Sequence, residues 1–280
     1  MADMARDEFV RKLSRLRRVV SSRRVMVAQL QGASTRLGDH EKYAQGDQVL
    51  DVVRWDGPDA TPVLLVHGIG MGRDYFGLLR DQLLNDRDVI GIDLPGFGAS
   101  PTPAESLSIP ETADLLAAYL GDRVGEPVIA VGHSMGAQVV TELAVRHPAL
   151  VERLVLIAPS VNPRERSARA LTWRLMQDLV GDSPRVVAIG ARLYASAGMR
   201  WFLAKLGPML DHRIELVAPA VTCPTLVIAG AADRVCPLPW VRELAALIPG
   251  ARLQVVPDRG HEAMITDPEP IASLIRKFAA

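Results

Sequence analysis

The stretch Pro127–Gln138, PVIAVGHSMGAQ, decides how the chain is read. Its first part, Val128 to Val131, is a continuous apolar run of strand length. Its continuation places Val139, Val140, Leu143 and Ala144 at helical spacing. Between them lies Gly132-His133-Ser134-Met135-Gly136, a G-x-S-x-G pattern in the context strand, sharp turn, helix. A serine at such a turn is held in a strained backbone conformation, with its hydroxyl pointing off the end of a sheet. Side chains at 132 and 136 would collide with the neighbouring strand and helix, which explains the two glycines. The helix that starts at Ser134 brings free N–H groups and a positive dipole end to the hydroxyl. The pattern makes Ser134 a candidate nucleophile. The alternative is a small-residue turn that happens to contain serine, and the rest of the chain must choose between them.

Outward from this stretch, strand-like and helix-like segments alternate. Val49–Trp55 alternates in polarity and reads as an early strand, followed by a turn at Asp56-Gly57-Pro58-Asp59. Pro62–Val66 reads as a buried strand ending at His67-Gly68-Ile69-Gly70, and residues 75–84 read as helical. Val89–Leu94 is the next strand, ending in Asp93-Leu94-Pro95-Gly96-Phe97-Gly98. Ser108 and Glu111 form a capping box for a helix that should stop at Gly121. The helix after Ser134 should end at His147-Pro148, before a strand over Leu154–Ala158. Further on, 224–230 and 252–256 read as strands and 238–248 as a helix. A last helix starts at Asp267-Pro268-Glu269, with Ile271, Leu274, Ile275 and Phe278 on one face. The alternation implies parallel βαβ units in a doubly wound, mostly parallel α/β sheet. In such sheets chemistry gathers at the carboxyl ends of the strands. His67, Asp93, Ser134, Ser160 and Asp233 all fall just past a strand end.

Two segments break the pattern. Residues 161–218 read as helical, with Leu171, Leu175, Met176 and Leu179 on one stripe and Trp201, Phe202, Leu206, Met209 and Leu210 further on. Lying between two strands, they are expected to form an inserted helical lid, leaving 37–160 and 219–280 as the core. Their arginines (164, 166, 169, 174, 185, 192, 200 and 213) suit a solvated outer face better than a substrate clamp. Residues 1–36 carry Arg6, Arg11, Lys12, Arg15, Arg17, Arg18, Arg23 and Arg24, and Phe9, Leu13, Leu16 and Val20 make one helical stripe. This basic amphipathic extension suits a weak membrane-surface or protein contact, or simply a helix packed on the main domain. Gln31–Thr35 reads as a linker.

Composition narrows the class. With 280 residues, 49% of them hydrophobic, the chain can bury a large core. Lys plus Arg and Asp plus Glu are both 32, and aromatics are only 5%, which argues against a nucleic-acid partner. The two cysteines, Cys223 and Cys236, are too few for a disulfide scaffold. They flank a strand-length segment, which puts them roughly 20 Å apart at about 3.3 Å per residue. They read as reduced thiols of a cytoplasmic protein. No apolar run has membrane-spanning length, and no signal peptide is evident.

A serine hydroxyl needs a base in hydrogen-bond reach and a third group to orient that base. On this fold type the order along the chain is Ser, acid, His. Of histidines 40, 67, 133, 147, 212 and 261, only His261 follows the strongest acid candidate. It lies in the loop between the last strand and the last helix. His67 and His133 flank turns and are expected to serve structure, and His147 ends a helix. Asp233, three residues past Gly230, is the chosen acid, although it could also be a turn or cap aspartate. Asp258 is its rival. The tetrahedral intermediate needs N–H donors, for which Met135 and Ile69 are the candidates. A dinucleotide-like GIGMGR at 68–73 fails at Arg73, and no zinc-site spacing occurs among His and Cys. No cofactor or metal is expected.

Taken together, HGIG at 67–70, DLPGFGAS at 93–100, GHSMG at 132–136, GAADRVCP at 230–237 and GHEAM at 260–264 resemble the lid-bearing branch of the α/β-hydrolases, which includes esterases, lipases and C–C hydrolases. The resemblance runs from about Val49 to Ala280. It implies Ser134 as nucleophile, Asp233 as acid, His261 as base, and the N–H groups of Ile69 and Met135 as the oxyanion hole, as the residues themselves suggest. Serine at the elbow argues against members with a carboxylate nucleophile. His133 before the nucleophile and Glu262 after the histidine depart from the Asn and Trp common in C–C hydrolases. The implied activity is hydrolysis of a moderately apolar carboxylic ester. C–C cleavage, perhydrolysis or acyl transfer on the same triad are alternatives, as is a non-catalytic ligand receptor. The substrate and the oligomeric state are not legible.

Overall fold

The computed structural model describes residues 38–58, 60–170, 174 and 199–280. Eight strands form one sheet in the order β1-β2-β4-β3-β5-β6-β7-β8. They are β1 (Asp39–Gln45), β2 (Gln48–Trp55), β3 (Val63–Val66), β4 (Val89–Asp93), β5 (Val128–His133), β6 (Val151–Ile157), β7 (Thr225–Gly230) and β8 (Arg252–Val256). β1 and β2 pair antiparallel, β2 pairs antiparallel with β4, and every pairing from β4 to β8 is parallel. The longer helices among the described residues are α1 (Gly77–Leu83), α2 (Ile109–Tyr119), α3 (Met135–Arg146), α4 (Met199–Asp211), α5 (Leu238–Leu247) and α6 (Pro268–Ala279). The expected doubly wound, mostly parallel α/β sheet is what forms.

The apolar runs explain the layers. β3, β4, β5 and β7 are buried at every residue, which is why they read as near-continuous hydrophobic runs and not as alternating ones. With right-handed crossovers, the step from β3 to β4 puts α1 on one face of the sheet, and the opposite steps, from β4 past β3 to β5 and on toward β8, put α2, α3 and α5 on the other. α6 returns to pack against α1, and α2 packs along α3.

Several local differences from the sequence reading have physical causes. β1 has no signature in the sequence because it is an edge strand: DHEKYAQ buries only Tyr43. The first helix begins as a 3₁₀ turn at Arg73–Phe76 and becomes α-helical at Gly77. The Ser108–Glu111 capping box forms, with Ser108 N donating to Glu111 Oε2 at 2.8 Å. The helix does not stop at Gly121, however. A π turn over Leu120–Val124 extends it to Gly125, whose φ of 75° supplies the left-handed stop. Arg73, which spoils the dinucleotide pattern, has a structural task. Its Nη1 donates to Asp51 Oδ1 at 2.5 Å and to Asp93 Oδ2 at 2.6 Å, joining β2, β4 and the loop after β3 in one buried ionic cluster.

Among the described residues of 161–218, α4 lies on the core by the stripe read from the sequence. Trp201, Leu206 and Met209 are buried, and Phe202 and Leu210 are half-buried. The Trp201 indole fills the space that a Cβ on Gly96 would need. Arg164 pairs with Glu243, Arg166 with Glu215 and Arg174 with Glu165. The stripe at Leu171, Leu175, Met176 and Leu179, together with Arg185, Arg192 and residues 1–36, lies outside the described residues. Among the described residues no helix is long and apolar enough to cross a membrane.

Lys205 of α4 is 3% exposed. Its Nζ donates to Leu107 O at 2.7 Å and Thr112 Oγ1 at 3.1 Å, next to the start of α2. Burial pulls its pKa down from 10.5 to about 8, against the upward pull of Glu111. Below about 8 the folded amine is charged and the desolvation cost is felt in full. Between about 8 and 10.5 only the unfolded chain still carries the proton, so stability rises with pH. Urea denaturation should therefore show the wild type gaining up to about 3 kcal/mol on Lys205→Met across that interval. A difference that stays flat with pH would mean the amine is not desolvated.

Candidate active site

Ser134 is the residue between β5 and α3. Its φ of 54° and ψ of −115° lie in a region that non-glycine residues rarely adopt. Such a conformation costs on the order of 1–3 kcal/mol and persists only where the surroundings impose it. Here they do so from three sides. β5 is buried throughout, Ser134 N donates to Ile157 O at 3.0 Å, and Ala137 N donates back to Ser134 O at 3.1 Å. A Cβ on Gly136 would strike the Val66 carbonyl oxygen, and one on Gly132 would strike that of Gly136. Both glycines thus allow the helix to start hard against the sheet, as the sequence implies. Ser134 is 5% exposed.

The turn after β3 packs on this elbow. A Cβ added to Gly68 would lie 3.2 Å from Ser134 Cβ, and Met71 N donates to Gly68 O to close the turn that carries Ile69. Met135 is the first residue of α3, so its N–H has no acceptor within the helix. His67 serves structure, as its position suggests. Leu94 N donates to its Nε2 at 3.1 Å, so Nδ1 carries the proton and donates to Gly68 O at 2.7 Å. Burial holds its pKa below the ordinary 6.5, keeping it neutral.

Asp233 sits on the turn after β7 and does two things at once. Oδ1 accepts the N–H groups of Val235 at 2.8 Å and Cys236 at 2.7 Å, which shapes the turn. Oδ2 lies 3.0 Å from His261 Nδ1. Asp233 thus shapes its turn and also lies against the His261 ring. Asp258, the rival, is exposed on a left-handed residue at φ 56°. His261 is 4% exposed and follows β8 on a loop pinned by Ala232 N to Arg259 O at 2.8 Å and by the Arg259–Asp267 ion pair. Burial works against its imidazolium form, but the Asp233 carboxylate and the adjoining Cys236 prevail and raise its pKa well above 6.5.

His133 packs its ring on that of His261, with centroids 4.7 Å apart, and its Nε2 donates to His261 O at 3.1 Å. Burial first, and the neighbouring His261 second, drive its pKa well below the ordinary value. It is a neutral brace, again as expected. Of the other histidines, His40, His147 and His212 pair with Asp51, Asp114 and Glu142.

The structure brings Ser134, Asp233, His261 and the turn of Ile69 to one edge of the sheet. It does not aim the Ser134 hydroxyl at His261. Among the described residues Ser134 Oγ meets Ser160 Oγ at 3.3 Å. Two neighbours went unassigned in the sequence. Ser160 lies on the segment after β6, a strand end that the topology marks. Cys236 is buried, and its thiol donates to Ala158 O at 3.1 Å. The only signal for Cys236 was its place three residues after Asp233. Neither cysteine is in a disulfide.

A strained serine held at the edge of such a sheet is the arrangement of hydrolytic α/β enzymes. The model of the alpha/beta hydrolase family matches residues 63–274, and the chain belongs to that family. It is 31% identical over 250 residues to a poly(3-hydroxyalkanoate) depolymerase of Ectopseudomonas oleovorans, covering 81% of this chain and 87% of that one. It is 29% identical over 237 residues to a pimeloyl-acyl-carrier-protein methyl ester esterase of Chromobacterium violaceum, covering 75% of this chain and 89% of that one. Among solved structures, a thermophilic esterase of Thermogutta terrifontis has the same fold, with a TM-score of 0.74 at 24% identity over 86% of this chain and 97% of the other.

The geometry separates the two acid candidates by experiment. In Asp233→Asn the amide would donate to Nδ1 and force the proton onto Nε2. If the three act as a Ser-His-Asp triad, covalent labelling of Ser134 by a fluorophosphonate should slow by about 10⁴-fold, the cost of the wrong tautomer in such a triad. Asp258→Asn, at an exposed position, should change it by less than about tenfold. Equal effects would remove Asp233 from its place behind His261.

Proposed function

We propose that the chain is a serine hydrolase that cleaves carboxylic esters of moderately apolar acyl or alcohol groups through an acyl-enzyme. The observation that carries this reading is the buried contact between His261 Nδ1 and Asp233 Oδ2 at 3.0 Å, on the same sheet edge as the strained Ser134. Asp233 keeps the proton on Nδ1, which leaves the Nε2 lone pair as the base. Rotation of the Ser134 hydroxyl away from Ser160 aims it at that lone pair. Ser134 Oγ then attacks the ester carbonyl as His261 takes its proton. The oxyanion is met by the N–H groups of Ile69 and Met135. His261 returns the proton to the leaving alcohol, and water repeats the sequence to release the acid.

Two features of the chain bear on the substrate. In the inserted segment, α4 is anchored by Trp201 against Gly96 and by Lys205, and this segment is the expected lid of the site. Both curated relatives described above act, by their names, on acyl compounds, one a polyester and one a methyl ester. The basic segment 1–36 adds a weak contact with a membrane surface or another protein.

Initial rates on p-nitrophenyl esters of graded acyl length, with Ser134→Ala alongside, test the reading. The wild type should show a chain-length optimum, and kcat should fall by roughly 10⁴–10⁶ in the variant. No rate above the variant at any length would overturn ester hydrolysis and turn attention to ring-cleavage diketones, other acyl acceptors, or a receptor.

A further inference from the structure

The acid and base of the proposed triad have a third chemically competent neighbour. One ligand atom each from Asp233, Cys236 and His261 lies within 4.8 Å of the other two, and all three residues are buried. The set is a carboxylate oxygen, a thiol sulfur and an imidazole nitrogen. This mixture suits zinc and similar borderline-soft cations, and it suits magnesium or calcium poorly. Three such ligands leave one position open in a tetrahedral site. The charges also balance: a carboxylate and a thiolate neutralise a divalent ion, so burying the set carries no net charge.

We propose that Asp233, Cys236 and His261 form a binding site for a zinc-type divalent cation, and that occupancy switches the enzyme off. The stoichiometry is simple when His261 starts neutral. The Cys236 S–H bond breaks, its proton leaves to solvent, and a metal–sulfur bond of about 2.3 Å forms. The Ala158 carbonyl oxygen, which accepts that thiol in the free protein, is released. The metal takes the lone pair of Nδ1, and the proton that Nδ1 carried toward Asp233 moves to Nε2. No electron is transferred, and one proton is released per ion. The consequence follows from the tautomer: with a proton on Nε2, His261 has no lone pair to offer Ser134. The site does not show as a zinc spacing in the sequence, because two ligands share the turn after β7 and the third comes from the loop after β8.

The existence of the site does not depend on ester hydrolysis. Only its inhibitory effect rests on the function proposed above, and the test separates the two. Metal-free wild type, Ser134→Ala, Cys236→Val and Cys223→Ala are titrated with Co²⁺ as a spectroscopic probe, followed by Zn²⁺. Ester hydrolysis is measured in parallel, each protein being compared with its own metal-free rate. Wild type, Ser134→Ala and Cys223→Ala should each take up one Co²⁺ with a near-ultraviolet thiolate charge-transfer band that Zn²⁺ abolishes. The band should be missing in Cys236→Val. Inhibition of that variant should need more than about 100-fold higher Zn²⁺, beyond the upper end of what losing an outer-sphere partner costs. The chain has only two cysteines, so a band in Cys223→Ala assigns the thiol even if Cys236→Val fails to fold. A band that vanishes in Cys223→Ala, that survives in Cys236→Val, or that never forms in wild type would overturn the site. Binding without loss of hydrolysis would overturn the switch. If no ester is turned over by any protein, the cobalt spectra still decide the site.

Discussion

The site depends on the level at which parallel strands end. Val66 pairs with Gly132, His133 with Ile157, and Ile157 with Ile228. The chain therefore leaves β5 and β6 at one height and β3 one residue earlier, so that His67 emerges level with His133, and Ser134 level with Ala158. β7 runs two residues further, to Gly230, before it turns into Asp233. A slip of one residue in any of these pairings would flip every side chain of the strand to the opposite face. Burial on both faces makes that slip costly, because each of these strands is packed between helices along most of its length. The precision of this sheet edge is thus a by-product of a core built from Val, Ile and Leu.

Three histidines meet at this edge, and each is fixed by what its two nitrogens touch. His67 uses one nitrogen as a donor and the other as an acceptor, and so fastens the turn after β3 to the end of β4. His133 spends its donor on the His261 carbonyl oxygen, and its Nδ1 is buried without a partner among the described residues. His261 alone has a carboxylate behind it. The identical side chain thus yields two neutral struts and one group whose proton affinity is raised. Burial opposes the charged form at all three, and only at His261 do neighbours, Asp233 first and then Cys236, outweigh it.

Much of this is legible in the sequence because it is local or periodic. The elbow announces itself through two glycines whose removal of Cβ is a steric necessity. The parallel strands announce themselves as apolar runs, and α2 through its capping box. Order along the chain singles out His261 among six histidines, and the structure sets it against Asp233. What escaped had no local signal. β1 shows solvent-facing polar residues like any loop, and it is held by pairing with β2 and by the one buried side chain, Tyr43, against Tyr119. The stop of the helix after Leu120 depends on a glycine being free to adopt positive φ, and Gly121 and Gly125 look alike until the backbone is seen. Arg73 appears in the sequence only as a residue that breaks a motif, yet it neutralises two buried carboxylates. Ser160 meets Ser134 and Cys236 meets Ala158 across long separations in the chain, which no spacing records.

The strain at residue 134 belongs to its backbone and owes nothing to its hydroxyl. Ser134 is forced to its φ of 54° by β5, by Ile157 and by the close start of α3, none of which touches the side-chain oxygen to do so. The placement of the side chain at 134 and the chemistry of its terminal atom are therefore written in separate parts of the chain. A thiol or a carboxylate at the same position would inherit the same placement without any change to the scaffold. In evolutionary terms the elbow is a socket: drift in the surrounding core is restrained by packing, while a change of reaction needs a new side chain at one site and a matching adjustment of the groups that face it.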